Sequence, residues 1–268
     1  MTRRPRNSAV ALLLSLGINA CYSCPMRKVA LIPGGAKGIG REVGLRLGER
    51  GWAVALCYRK SHNEAESTAR AIEKQGGKAL AVHADVSMPE VCEALVDRVM
   101  EWQGRIDALI HCAGPYHRLN LLDETPTGWR EMFAGNLDSL FYMARLVAPV
   151  MIQQQTGRIV AFSMANADRL MAQTQLTAHY LSKVGVLGLV RSLAKALARH
   201  KITVNAVSPG FVDSGSVDSG ELASLVTSIP AGRIGTVADA ANAVLYLLSE
   251  EASYVTGTSL HVSGGWGM

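Results

Sequence analysis

Val29-Ala30-Leu31-Ile32-Pro33-Gly34-Gly35-Ala36-Lys37-Gly38-Ile39-Gly40 is the stretch that decides the fold. Its short apolar opening reads as a buried strand, and it breaks into a glycine-rich turn. Val43, Leu45 and Leu47 then follow in an amphipathic helical pattern that ends at Gly51. Ala53–Cys57 is a second apolar run, and further runs fall at 79–83, 107–111, 157–162, 202–207 and 259–262. Helical patterns near 63–75, 91–102, 128–154, 177–199 and 237–249 separate them. The runs are continuously apolar rather than alternating. Parallel strands covered on both faces look like this, and they need crossover helices. The pattern predicts a single α/β domain over residues 26–268, a doubly wound seven-stranded parallel sheet flanked by helices, with no linker and no repeat.

Composition excludes several classes. At 268 residues and 49% hydrophobic, the chain has ample core to bury, and 18% charge without low-complexity tracts rules out a mostly disordered protein. No apolar run reaches the roughly 18 residues of a membrane span. The net charge is +5, but Arg3, Arg4 and Arg6 supply three of those charges and leave +2 for residues 26–268. No basic block with interleaved aromatics appears, so nucleic acid is not an expected partner. Cys21, Cys24, Cys57, Cys92 and Cys112 are an odd, scattered set, which describes no disulfide scaffold and suits a reduced, cytoplasmic protein. Cys21 and Cys24 form one CxxC; a zinc site needs a second ligand pair, and none is present.

Residues 1–25 stand apart. A basic start (Arg3, Arg4, Arg6) and an apolar stretch at 9–20 have the layout of a signal peptide, with Cys21 where a lipoprotein cysteine would sit. Asn19 and the short apolar run argue against it. Another reading is a translation start set too early, because Met26 directly precedes the first strand; an integral helix is a third. On each reading the segment is an extension outside the fold, and export or lipid anchoring through it stays open.

A strand leading through Gly34-x-x-x-Gly38-x-Gly40 into a helix suits a dinucleotide. Gly34 allows the tight turn, Gly38 lets backbone approach a pyrophosphate, and Gly40 permits close packing of helix on strand. The helix N-terminus supplies N–H donors and a positive dipole. An acid after the second strand would grip a free ribose 2′-hydroxyl. That place holds Tyr58, followed by Arg59, Lys60 and Ser61. With Lys37 they would surround a 2′-phosphate, which favours NADP(H) over NAD(H). The bland alternative is a solvated basic loop.

Nearly all of residues 26–268 resembles the short-chain dehydrogenase/reductase family. The resemblance rests on the glycine spacing, Asp85-Val86 and His111-Cys112-Ala113-Gly114. It extends to Asn136 in Gly-Asn-Leu, Ser182-Lys183, Val204-Asn205-Ala206-Val207-Ser208-Pro209-Gly210 and Tyr254-Val255-Thr256-Gly257. Within the family the arrangement is similar to the NADPH-dependent 3-oxoacyl-acyl-carrier-protein reductase type. The resemblance implies a Rossmann domain in which Ile39, Val86, Cys112, Ala113 and Gly114 line the cofactor and Asp85 bonds the adenine. Pro209, Gly210 and Val212 would flank the nicotinamide, and residues 211–221 would form a substrate lid. It also implies a homo-oligomer, a tetramer or a dimer, built on the helices near 128–154 and 177–199 and the last strand.

Family chemistry uses a tyrosine as proton donor, a lysine four residues later, a serine on the preceding strand and an asparagine. Lys183 and Asn136 match. Four residues before Lys183, however, lies His179, with Tyr180 next to it; the serine position falls on Met164, with Ser163 one place earlier. A one-residue shift turns a helical side chain by about 100°. Tyr180 is the first candidate acid, His179 a second, and a packed aromatic is the plain alternative for Tyr180. Met164 has no strong donor. Tyr116 and His117, after the fourth strand, are candidate substrate contacts, and no GxSxG turn supports hydrolase chemistry. The expected function is NADPH-dependent reduction of a carbonyl, a 3-oxoacyl thioester or a small ketone. Enoyl or pterin reduction are variants, and a catalytically silent nucleotide-binding protein acting through a partner is the alternative.

Overall fold

The computed structural model describes residues 27–214 and 225–268. The segment 1–25, with Cys21 and Cys24, and most of the expected lid lie outside the described residues. The strands are β1 (Val29–Pro33), β2 (Ala53–Tyr58), β3 (Lys78–His83), β4 (Ala108–His111), β5 (Gly157–Phe162), β6 (Ile202–Pro209), β7 (Val212–Asp213), β8 (Gly235–Thr236) and β9 (Ser259–Val262). The helices are α1 (Gly38–Glu49), α2 (His62–Lys74), α3 (Pro89–Gln103), α4 (Pro126–Phe133), α5 (Ser139–Gln154), α6 (Thr177–Leu197) and α7 (Val237–Leu248). Seven strands make one parallel sheet in the order β3-β2-β1-β4-β5-β6-β9, while β7 and β8 pair separately.

Every residue of β1, β4 and β5 is buried, whereas none of the edge strands β3 and β9 is. Alternate residues serve opposite cores. Val29, Leu31, Ala55, Leu109 and Ile159 face α3, α5 and α6 through Leu95, Val99, Met143, Val147, Val186 and Val190. Ala30, Ile32, Val54, Leu56 and Ile110 face α1, α2 and α7 through Val43, Leu47, Ile72, Val244 and Leu247. The doubly wound sheet expected from the apolar runs is the one observed. Among the described residues no helix is long and apolar enough to cross a membrane, and no cluster of metal-ligating side chains occurs.

Two details depart from the sequence pattern. The helix expected over 128–154 is α4 and α5 joined through one wider, π-type turn at Ala134–Asp138, and this turn carries Asn136. Such a turn re-aims the side chains it contains. Asp107, expected in the fourth strand, instead accepts the Val29 amide at 2.8 Å and pairs with Arg105.

From β1 the chain winds outward through β2 and β3, then returns past β1 to β4 and continues the other way. The reversal leaves a crevice beyond the C-terminal ends of β1 and β4. The turn at its base is tightly packed: a methyl group on Gly40 would overlap the Gly34 carbonyl oxygen, which is backbone and cannot swing aside. Gly40→Ala is therefore expected to cost about 1–3 kcal/mol of stability. A lower urea midpoint with an unchanged slope would show it.

Candidate active site

Gly34 adopts φ +78°, a conformation side chains disfavour, and a Cβ there would lie 2.7 Å from the Cys112 carbonyl carbon and the Ala113 nitrogen. The β1–α1 turn can thus rest directly on the end of β4. Lys37 at the start of α1 makes no side-chain cap, and the first turn carries no acid. Its leading amides have no side-chain acceptor from the cap position, and the helix dipole is not offset locally.

These amides border a cleft of about 580 Å3. Its walls include Gly34, Lys37 and Gly38, then Tyr58, Arg59, Lys60 and Ser61, then Asp85 and Val86, and finally Cys112, Ala113 and Gly114. Most of the sequence-predicted binding residues are brought together here. Ile39 and Gly40 are not on its wall; they lie behind the turn, where Ile39 packs on the core and Gly40 seats the helix. Nor are Pro209, Gly210 and Val212, which follow the end of β6, where the Gly210 amide donates to Val262 at 3.1 Å. Sequence reading missed Ala36, Cys57, Ala84, Ser87, Pro115, Gly135 and Ser214 on the walls; most are chain neighbours of predicted residues.

At one end of the cleft, burial opposes the charge on Asp85, but the Ser87 hydroxyl and amide and the Arg59 guanidinium outweigh it and hold the carboxyl below its usual range. Arg59 sits 3.5 Å from that carboxylate. The Tyr58 hydroxyl meets His62 Nδ1 at 2.7 Å, and its ring centroid is 5.6 Å from those of both His62 and His83. Lys37 and Lys60 have no carboxylate partner among the described residues.

The family's reactive positions do not line this cleft: Lys183 and Asn136 lie behind its Gly114 wall. Lys183 is buried, and its Nζ donates to the Phe162 carbonyl at 2.9 Å. Asn136 Nδ2 donates to the Met132 and Pro115 carbonyls, while its buried Oδ1 has no partner. A side chain at Gly114 would overlap that oxygen and approach Lys183 Nζ to 3.5 Å. The missing side chain thus lets the Asn136 oxygen lie against the Gly114 backbone, with the Lys183 ammonium close by.

Tyr180 is 2% exposed, inside the core cluster. Its hydroxyl accepts the Met171 amide at 2.8 Å and donates to the Asn166 carbonyl at 3.2 Å. The structure thus does not place Tyr180 on the cleft; the one-residue shift along α6 turns its ring inward. His179 takes the outward position, with Nδ1 3.3 Å from the Pro115 carbonyl and its ring edge-on to Tyr116. Burial, then the Lys183 charge, lower its pKa to about 3. Met164 packs against the apolar core, and the Ser163 hydroxyl donates to the Lys183 carbonyl, tying β5 to α6. Tyr116 lines the cleft and is largely exposed; His117 pairs with Glu124 at 2.6 Å.

Fold and cleft together define a doubly wound α/β domain with a candidate site at its switch point. Residues 34–267 match the family model described as enoyl-(acyl carrier protein) reductase, and the chain belongs to the short-chain dehydrogenase/reductase family. It is 34% identical to the 3-oxoacyl-[acyl-carrier-protein] reductase FabG of Staphylococcus aureus, over 90% of this chain and 98% of that one. The FabG of Escherichia coli K12 is 30% identical over 89% and 96%. Among solved structures, acetoin dehydrogenase YohF from Salmonella typhimurium superposes with a TM-score of 0.81 at 32% identity, covering 90% of this chain and 96% of that one. The chain is an oxidoreductase of this type, and its relationship to these enzymes is consistent with carbonyl reduction.

Tyr180→Phe leaves the Asn166 carbonyl and Met171 amide without their partner and is expected to cost about 1–3 kcal/mol in urea unfolding. A second expectation concerns acid. Burial also lowers His111 to about 3. Both imidazoles stay neutral in the folded chain while the unfolded chain protonates them near pH 6.5. Their contribution is complete above that value and is lost as pH falls from there towards 3. Urea midpoints should drop across this window, and less steeply in His179→Gln.

Proposed function

We propose that this protein is an NADPH-dependent carbonyl reductase. The carrying observation is the basic ring at the end of β2. Tyr58 stands where an acid would hold a 2′-hydroxyl, and Lys37, Arg59, Lys60 and Ser61 surround the same end of the cleft. A dianionic 2′-phosphate matches that donor set, and a carboxylate at position 58 would repel it. The Gly34 cradle and the uncapped start of α1 suit the pyrophosphate. When bound, the reduced coenzyme supplies a hydride. The chain's own residues orient it and manage the proton: Lys183 brings positive charge to the reactive end, Asn136 offers a free acceptor, and Tyr180 holds the backbone of residues 166–171 in place.

A 3-oxoacyl thioester or a small ketone is the proposed substrate, supported by the names of the relatives, FabG and acetoin dehydrogenase. Half-exposed Phe141 on α5 and Leu181 on α6 support a homo-oligomer built on those helices. A cytoplasmic setting goes with Cys57, Cys92 and Cys112, which are free cysteines among the described residues. The domain of this reading is residues 26–268, with 1–25 as an extension. The second reading is a silent protein that keeps the cofactor cradle; it rests on Tyr180 being turned into the core and Met164 standing at the family's serine position.

Calorimetry is expected to show NADPH binding more tightly than NADH. Arg59→Ala and Lys60→Ala should each weaken NADPH by roughly 10- to 100-fold, the range of one charge-assisted bond, and leave NADH nearly unchanged. Equal affinity for both coenzymes would refute the 2′-phosphate assignment. Following NADPH absorbance with an acetoacetyl thioester and a ketone panel tests the reaction; tight binding without turnover would support the silent reading.

A further inference from the structure

We propose that Tyr116, on the loop after β4, is the acid that protonates the substrate oxygen. This rests on the reductase reading above, and it takes the proton from the cleft wall rather than from α6.

The strand order β3-β2-β1-β4 sorts the proton-bearing side chains on that wall. Tyr58, Arg59, Lys60 and Ser61 follow β2, and Asp85 and Ser87 follow β3. Lys37 and Ser214 stand at the start of α1, Ser214 against Gly38. A dinucleotide with its 2′-phosphate on the first group and its pyrophosphate at the Gly34 turn has its reactive ring left for the β4 side. That side consists of Cys112, Ala113, Gly114, Pro115, Tyr116 and Gly135. Of these six, only Cys112 and Tyr116 carry a side-chain proton. Cys112 packs against the apolar core. Tyr116 is 63% exposed, and its hydroxyl has no hydrogen-bond partner among the described residues. The Tyr180 O–H, by contrast, is bound to the Asn166 carbonyl inside the core.

Three contacts fix where the Tyr116 phenol sits. The Pro115 ring fills the space that a side chain at Gly135 would take. The Pro115 carbonyl accepts from Asn136 Nδ2 at 3.1 Å and meets His179 Nδ1 at 3.3 Å. The Tyr116 ring then stands edge-on to His179, with centroids 5.1 Å apart and planes at 84°, a favourable aromatic geometry. Backbone and ring are held while the hydroxyl stays unengaged, which is what a general acid requires. The same one-residue shift that buries Tyr180 supplies His179 as the support for this ring.

The step balances. The substrate carbonyl carbon gains the coenzyme's hydride as a new C–H bond, and the π pair moves to oxygen. That oxygen forms its O–H bond as the Tyr116 O–H breaks, leaving a phenolate. Exposure to water lets the phenolate regain its proton.

The test uses the full chain, NADPH and an acetoacetyl thioester. Tyr116→Phe keeps the ring against His179 and removes only the hydroxyl, so its urea midpoint should be unchanged. It should bind NADPH within about fivefold of the parent by calorimetry and lose roughly 10²- to 10⁴-fold in kcat. A readout free of turnover is NMR of 13C-labelled tyrosine in the unreactive complex with NADP+ and the same thioester. One Cζ resonance, missing in Tyr116→Phe, should move when the thioester joins the NADP+ complex. Turnover that survives Tyr116→Phe, or a Tyr116 Cζ signal that the thioester leaves unmoved, overturns the assignment alone. NADPH binding by the parent without turnover on any ketone overturns the reductase reading and this step with it.

Discussion

Everything in this protein depends on a parallel sheet that must be covered on both faces. Parallel neighbours cannot be joined by tight turns, so each connection crosses over through a helix, and the helices supply the two covers. The central strands carry apolar side chains on both faces and are wholly buried, while β3 and β9 at the edges are not. The same constraint creates the site. Reversal of the winding between β1 and β4 leaves their C-terminal ends without a crossing connection, and the loops that follow wall a cleft there.

Close backbone contact then sets the shape of that cleft. The Gly34 turn rests on the Cys112–Ala113 peptide, and Gly40 seats α1 on the turn. Helix amides therefore reach the floor of the cleft at a point fixed by two strands. The basic residues after β2 line the cleft, and the buried ammonium of Lys183 lies behind its Gly114 wall, with neutral groups around it. A charge in such surroundings lowers its own proton affinity and pushes down that of nearby imidazoles.

The π-type turn at Ala134–Asp138 shows how local irregularity serves the site. A regular helix through this segment would turn Asn136 differently; the wider turn directs Nδ2 to the Met132 and Pro115 carbonyls and leaves Oδ1 free beside Gly114. Pro115 in turn accepts from both Asn136 and His179, linking the turn to α6. Ser163 does the same between β5 and α6, so the reactive end is braced from three elements.

The apolar runs, the glycine spacing and the basic residues after the second strand made the sheet, its order of elements and most of the cleft wall readable from sequence. These features are local: period, turn chemistry and charge act over a few residues. Asn136 and Lys183 were readable as matches to a family pattern, but the wider turn was not, because helical spacing on either side is the same with or without it. The roles of His179, Tyr180, Ser163 and Met164 were decided only by tertiary structure. Neighbouring positions on a helix differ by a rotation whose consequence depends on what lies opposite. Here the backbone of residues 166–171 captures one hydroxyl, and the Pro115 carbonyl orients one imidazole. Hydrogen-bond partners distant in sequence, and the burial that shifts a proton affinity, exist only once the chain has folded around them.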